Sequence, residues 1–218
     1  MSPRLFFFFD LDLTLTAAHT GGVAGARFDE EAQDYERDAD GSLVVDVSRE
    51  EAVGAFGSVE NIRLVLDTLR SITDAGGVSF VVTRGVVGCA TALLERAAAA
   101  AGRQEGGVVG DGKLVEAVLG AATDLEVQNP FGEAGERRLA SAQERAHRVS
   151  TEMWAERKVE LMEQVLRRFA APNADAYFFD DTAANVREAR RRGFENAVLV
   201  TEPLVGTVKG VRGALRLL

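Results

Sequence analysis

The sequence predicts an α/β fold built on a doubly wound, mostly parallel sheet with helices on both faces. Short apolar runs alternate with longer segments whose apolar residues recur every three or four positions, which is the pattern of buried strands and amphipathic helices. Three of the apolar runs end directly in polar side chains, at Asp10, Thr83 and Asp180. Because the carboxyl ends of parallel strands meet at one edge of such a sheet, we expect these side chains to form one site.

The predicted strands are short and strongly apolar. Residues 5–9 form an unbroken apolar run that stops at Asp10, as expected for a central strand buried on both faces. Three similar strands are predicted over residues 78–82, 176–179 and 197–200, and a weaker one over residues 43–47.

Helices are predicted between these strands. Ser58 is placed to cap a helix that Gly76 ends, and an Ala-rich helix follows the second strand as far as about residue 101. Further helices are expected over residues 114–119, from about 133 to Pro172, and around Val186, where Gly193 ends the helix. A turn is expected at residues 110–112.

Composition indicates the class of protein. With 218 residues, the chain is long enough for a single domain with a small appendage. One cysteine excludes an internal disulfide, and no apolar run is long enough to span a membrane, so we expect a cytoplasmic protein. A net charge of −9 argues against bulk nucleic-acid binding. Nothing in the sequence indicates an oligomeric state.

Two segments exceed what a minimal core needs. Residues 17–57, polar and glycine-rich at first and then strongly acidic, are interpreted as a flap or small cap inserted after the first strand. Residues 104–150 are interpreted as an elaboration of the core. A small cap favours an open crevice.

Acidic side chains dominate the predicted site. Asp10 and Asp12 follow the first strand, and Asp180 and Asp181 follow the third. Carboxylates gathered in one crevice repel each other unless a cation lies among them, and oxygen ligands of this kind suit Mg²⁺. For Asp181, an alternative is that it caps the following helix. Asn185 is interpreted as a residue that packs or fixes the loop.

A carboxylate beside Mg²⁺ is a competent nucleophile toward phosphorus. Asp10 is the expected nucleophile, and Asp12 the acid that protonates the leaving oxygen and then the base that activates water. Thr83, Arg84 and Gly85 are expected to contact the phosphate. Lys158 is the preferred cation to stabilise the negative charge of the phosphate in the transition state, and Lys113 and Arg157 are the alternatives.

In these motifs the sequence resembles the haloacid dehalogenase (HAD) superfamily. The first motif of that superfamily, a strand followed by D-x-D-x-T, is matched by residues 6–16, and its second, a strand ending in Thr or Ser, by residues 80–85. The third, a lone lysine, is matched by Lys158, and the fourth, a strand followed by paired acids, by residues 177–181. The resemblance covers roughly residues 4–200 apart from the two long segments. It implies a Rossmann-like core.

The resemblance also implies roles for individual residues. Asp10 would be the nucleophile and a metal ligand, Asp12 the acid/base and a metal ligand through its backbone carbonyl, and Asp180 a metal ligand with Asp181 close by. Thr83 and Lys158 would contact the phosphate. Dehalogenase-type members lack the second acid, so Asp12 favours phosphoryl transfer. Leu13 departs from the glycine that is commoner at that position.

The sequence therefore predicts an enzyme, a Mg²⁺-dependent phosphatase that acts on a phosphorylated substrate, most simply a small molecule. Two alternatives remain within the same superfamily, a phosphotransferase or mutase and a nucleic-acid end phosphatase. A third alternative is a catalytically idle member that binds a phosphorylated ligand or a protein.

Overall fold

The computed structural model describes residues 4–32, 34–39, 41–103, 107–110, 112–120 and 151–216. Its centre is a five-stranded, wholly parallel sheet, which confirms the predicted α/β class. In chain order the sheet strands are β1 (Phe6–Phe9), β4 (Val78–Thr83), β5 (Ala117–Gly120), β6 (Ala176–Asp180) and β7 (Asn196–Leu199). They lie side by side in the order β5-β4-β1-β6-β7, so β1 is central and strand order reverses there.

The four phenylalanines of β1 supply core to both faces of the sheet. Phe7 and Phe9 join one buried cluster and Phe6 and Phe8 join another, because successive side chains of a strand point to opposite faces. All four are at most 2% exposed. Their unbroken apolar character therefore follows from a strand covered by helices on both sides.

Four described helices share the cluster of Phe7 and Phe9. They are α1 (Arg49–Phe56), α2 (Val59–Asp74), α3 (Val87–Ala100) and α6 (Val205–Leu215). Ser58 caps α2 as predicted, since its hydroxyl accepts a hydrogen bond from the backbone N–H of Asn61 at 3.1 Å.

Two described helices cover the opposite face with Phe6 and Phe8. They are α4 (Thr151–Arg168), of which the first two side chains are not described, and α5 (Ala183–Arg191). On α4, the buried face carries Val159, Met162 and Leu166 at helical spacing. None of the described helices is both long and apolar enough to cross a membrane.

The segment between β1 and α1 is irregular and small. It contains β2 (Phe28–Asp29) paired antiparallel with β3 (Asp34–Tyr35), and two isolated bridges, Ala26 with Val45 and Arg37 with Leu43. The weak strand predicted at 43–47 is therefore wrong as a strand, because only single bridges form there. Residues 49–56 of the predicted flap are instead helix α1, with Ala52 and Phe56 buried in the core.

The helix predicted at residues 114–119 is also wrong. Residues 117–120 form strand β5, which pairs with β4 from Phe80↔Ala117 to Thr83↔Gly120. The turn before it is confirmed by the hydrogen bond from Lys113 N–H to the Gly110 carbonyl at 3.0 Å. The helix predicted from about residue 133 lies outside the described residues until Thr151, and so does most of the 104–150 elaboration.

Candidate active site

The site lies where the central strands end. Asp10 follows β1 directly, and its backbone N–H donates to the Phe179 carbonyl of β6 at 2.9 Å. Asp180 is the last residue of β6, and Thr83 is the last residue of β4 on the other side of β1. The carboxyl ends of three adjacent strands therefore bring Asp10, Thr83 and Asp180 to one edge, at the reversal of strand order.

Lys158 occupies the centre of this cluster. It projects from α4 and is 1% exposed. Its ammonium donates hydrogen bonds to Oδ1 of Asp10 and, at 2.8 Å, to Oδ2 of Asp180. A buried lysine needs such partners, since an unpaired ammonium is costly to remove from water. Lys158 therefore joins the nucleophile candidate to the acid of the neighbouring strand.

Asp180 is fully buried and held on both oxygens. The Asn185 side-chain amide donates to Oδ1 and Oδ2, each at 2.9 Å, and the backbone N–H of Thr182 donates to Oδ1 at 2.8 Å. Asn185, which the sequence predicts to pack or to fix the loop, is buried and holds the side chain of Asp180. The alternative that Asp181 caps α5 is wrong, because the cap position is Thr182 and the side chain of Asp181 lies 3.4 Å from the Thr182 hydroxyl.

Three of the four acids predicted as metal ligands come together. One carboxylate oxygen from each of Asp10, Asp180 and Asp181 lies within 4.8 Å of those of the other two. Among the described residues, one cation, the Lys158 ammonium, pairs with this group of three carboxylates, so the cluster has an excess of negative charge that a divalent cation could balance. An oxygen-only donor set fits Mg²⁺ better than zinc.

The ionisation of the cluster reflects this crowding. Burial raises the pKa of Asp10 to about 7; the Lys158 ammonium opposes this rise and Asp180 adds to it. Burial and the nearby Asp180 carboxylate also raise the pKa of Asp181. For Lys158, burial disfavours the charged form, but Asp10 and Asp180 outweigh it and hold its pKa above the ordinary value. Without a cation, Asp10 and Asp181 are thus hard to ionise together.

Asp10 keeps one oxygen available. Its Oδ1 is engaged by Lys158, whereas no described residue donates a hydrogen bond to its Oδ2. The side chain as a whole is 10% exposed.

Asp12 is positioned apart from the other acids. Its carboxylate does not belong to the group formed by Asp10, Asp180 and Asp181. Instead Oδ1 accepts hydrogen bonds from the backbone N–H of Thr20 at 3.0 Å and from the Thr20 hydroxyl at 2.6 Å, and Oδ2 lies 2.7 Å from Nδ1 of His19. No sequence pattern indicates Thr20 as a partner of Asp12, because this contact depends on the path of the loop.

The backbone between Asp10 and Thr16 forms one wide turn. The Thr16 N–H donates to the Leu11 carbonyl at 3.0 Å, and the Thr16 hydroxyl accepts from the Leu13 N–H at 3.1 Å. Leu13 has a φ of 56°, in the left-handed region. Glycine adopts this conformation more readily than leucine does.

The loop after β4 carries the predicted phosphate contacts. The Thr83 side chain is buried and accepts a hydrogen bond from the Gly85 N–H at 3.0 Å. The Arg84 guanidinium lies 5.8 Å from the centre of the Trp154 ring, one helical turn before Lys158 on α4. The backbone of Gly85 lies so close to that of Gly22 that a Cβ at Gly85 would be 2.5 Å from the Gly22 Cα.

The two rivals of Lys158 lie elsewhere. Lys113 is exposed in the turn that precedes the amino end of β5, whereas the site lies at the carboxyl ends of the strands. Arg157 pairs with Glu160 on the surface of α4, at 3.4 Å. Among the three candidates, Lys158 is the one that contacts Asp10 and Asp180.

Comparison with known proteins adds no identification, since neither a protein-family model nor a curated protein sequence matches the chain.

Proposed function

We propose that the protein is a Mg²⁺-dependent phosphomonoester hydrolase that forms an aspartyl-phosphate on Asp10, and that it belongs to the haloacid dehalogenase superfamily. The observation that carries the proposal is the contact of Lys158 with both Asp10 and Asp180 at the switch point of the sheet. A solvated surface acid has no need of a buried lysine, whereas a site for an anionic substrate does.

The proposed first step transfers the phosphoryl group to the protein. Oδ2 of Asp10 attacks phosphorus, an oxygen–phosphorus bond forms, and the bond to the leaving oxygen breaks. Asp12 gives a proton to the leaving oxygen, which departs as an alcohol. Asp10, Asp180 and Asp181 would hold a Mg²⁺, which would supply charge neutralisation for the phosphoryl transfer.

The second step releases phosphate. Asp12, now a carboxylate, takes a proton from a water molecule that attacks phosphorus. The bond between phosphorus and Asp10 breaks, which returns the Asp10 carboxylate and gives inorganic phosphate. The proton that Asp12 donates in the first step is thus replaced by one from water in the second.

The remaining residues bind and orient the phosphoryl group. The Lys158 ammonium offsets charge that builds up on its oxygens, and this effect is large in a buried site. The loop Thr83–Gly85 offers the Thr83 hydroxyl and backbone N–H groups. We propose a phosphorylated small molecule as substrate, and Asp12 favours phosphoryl transfer over dehalogenation.

Turnover of p-nitrophenyl phosphate tests the proposal. We expect hydrolysis that needs Mg²⁺ and stops with EDTA, and we expect Asp10→Asn to lower kcat by at least about 10³-fold because the nucleophile is lost. A colorimetric assay of p-nitrophenolate gives kcat, and circular dichroism verifies the fold of the variant.

Asp46→Asn is the matched control. Asp46 is an exposed carboxylate, 57% accessible, that pairs with Arg27 on the surface, so its replacement should leave kcat within about twofold. Absence of turnover by the wild-type chain with any divalent metal contradicts the proposal, as does full activity of Asp10→Asn.

A further inference from the structure

The carboxylate of Asp12 is held asymmetrically. Both donors of Thr20, the backbone N–H at 3.0 Å and the hydroxyl at 2.6 Å, bind the same oxygen, Oδ1. The other oxygen, Oδ2, contacts only the His19 ring at 2.7 Å among the described residues. The His19 side chain is 72% exposed, whereas that of Asp12 is 16% exposed. An incoming group can therefore replace His19 at Oδ2 without displacing a packed side chain.

The segment that carries Thr20 is fixed to the loop after β4. The Val86 N–H donates to the Gly22 carbonyl at 2.9 Å, two residues beyond Thr20. Gly22 and Gly85 approach so closely that a Cβ on either would lie within 2.7 Å of the other's backbone. This contact ties the donors of Thr20 to the backbone beside Thr83, so the segment 20–22 spans from Asp12 to the proposed phosphate-binding loop.

We propose that Thr20 is a positioning residue for the general acid, and this inference rests on the proposed function. By occupying Oδ1 with two donors, Thr20 orients the carboxylate so that Oδ2 carries the proton and delivers it to the leaving oxygen. When an incoming group replaces His19, the two bonds from Thr20 still hold Oδ1, so Oδ2 faces that group in a defined direction, which a freely rotating carboxylate does not offer. Thr20 itself does not touch the reacting atoms.

Substrates with different leaving groups test this role. Phenyl phosphate releases phenol, whose pKa is about 10 like that of tyrosine, and so depends strongly on an acid. p-Nitrophenyl phosphate has a better leaving group and depends on the acid much less. We expect Thr20→Val, which removes the hydroxyl but keeps the backbone N–H, to lower kcat/KM about 10-fold for phenyl phosphate and less than about twofold for p-nitrophenyl phosphate.

Three further variants make the assignment specific. Thr20→Ser keeps the hydroxyl and should restore kcat/KM for phenyl phosphate. Thr73→Val removes a part-buried hydroxyl that bonds the Leu69 carbonyl within α2, and should leave both substrates unchanged. In an Asp12→Asn background, Thr20→Val should have no further effect on phenyl phosphate, since there is no acid left to position. An equal loss on both substrates, or an additive loss in that background, overturns the positioning role.

Urea unfolding separates this inference from the proposed function. If Thr20 bonds Asp12, the variants Thr20→Val and Asp12→Ala are non-additive in the unfolding equilibrium constant by about fivefold, with or without turnover. If the two variants are coupled in unfolding but the wild type has no turnover, the phosphatase proposal is contradicted, and so is the positioning role that rests on it. Turnover without coupling overturns the positioning role alone.

Discussion

At the residue scale, Asp10 combines two opposing influences. Burial raises its pKa to about 7 although the Lys158 ammonium favours the charged form. A nucleophile must be ionised, so the metal-free site is only partly prepared for attack at neutral pH. A divalent cation among Asp10, Asp180 and Asp181 would favour the ionised carboxylate, which links metal binding to activation of the nucleophile.

This shift predicts how stability depends on pH. The unfolded chain loses the Asp10 proton near pH 4, whereas the folded chain keeps it up to about pH 7, so the folded state binds more protons between these values. The free energy of unfolding in EDTA should therefore fall as pH rises through this window. The slope from Asp10 is at most about 1.4 kcal/mol per pH unit, and the effect levels off above pH 7.

Urea denaturation at a series of pH values measures this slope. Asp10→Asn, which cannot titrate, should lack it, and excess Mg²⁺ should flatten it because the metal stabilises the ionised folded state. Identical slopes for wild type and Asp10→Asn in EDTA would contradict the assignment of the raised pKa to Asp10.

Several residues of the site could be predicted because they follow apolar strands directly. The rule that parallel strands end at one edge of the sheet was enough to predict that Asp10, Thr83 and Asp180 lie together. Lys158 lies within a helix among other charged residues, and its distinction from Arg157 comes from which face of α4 is buried. The bond from Thr20 to Asp12 spans eight residues of irregular loop, for which no periodic signal exists.

At the element scale, one predicted helix is a strand in the structure, and one observed helix was not predicted. Within residues 114–119, the apolar residues Leu114, Val115, Val118 and Leu119 recur at helical spacing, but pairing with β4 makes residues 117–120 the edge strand β5. That pairing is non-local and leaves no trace in the local pattern. Helix α1 was missed although Ser48 and Glu51 form a capping box, a signal that can be found in the sequence.

The contact between Gly22 and Gly85 gives a prediction about the loop after β4. The backbone of residue 85 does not lie in the left-handed region, so its conformation does not strain alanine. The Cβ of that alanine, however, would lie 2.5 Å from the Cα of Gly22 and 2.7 Å from the carbonyl oxygen of Gly22. We expect Gly85→Ala to destabilise the protein by about 1–3 kcal/mol and to lower kcat/KM more than tenfold, because the two loops must separate.

Gly88→Ala provides the comparison for that variant. A Cβ at Gly88 meets nothing within 4 Å, and the residue lies in the first turn of α3. Urea denaturation should show it unchanged or stabilised by up to about 1 kcal/mol. If Gly85→Ala matched Gly88→Ala in stability and turnover, the contact with Gly22 would not matter.

At the scale of the whole molecule, the topology brings the site together. The strand order β5-β4-β1-β6-β7 places β1 between the two other strands that end in polar side chains. The class of fold followed from apolar runs alternating with amphipathic segments, since each pattern reports burial along one element. The order of strands, which makes Asp10 and Asp180 neighbours, depends on pairings between distant residues such as Phe9↔Phe179.

The central claim, a phosphoryl group carried by Asp10, is tested most directly by trapping it. The Asp12→Asn variant should accumulate the intermediate from p-nitrophenyl phosphate and Mg²⁺, because a good leaving group departs without an acid while hydrolysis lacks its base. Borohydride reduces an acyl phosphate to an alcohol, so mass spectrometry should find residue 10 converted to homoserine, only when substrate is present. Turnover with no such mark at position 10, or with the mark on another carboxylate, would contradict it.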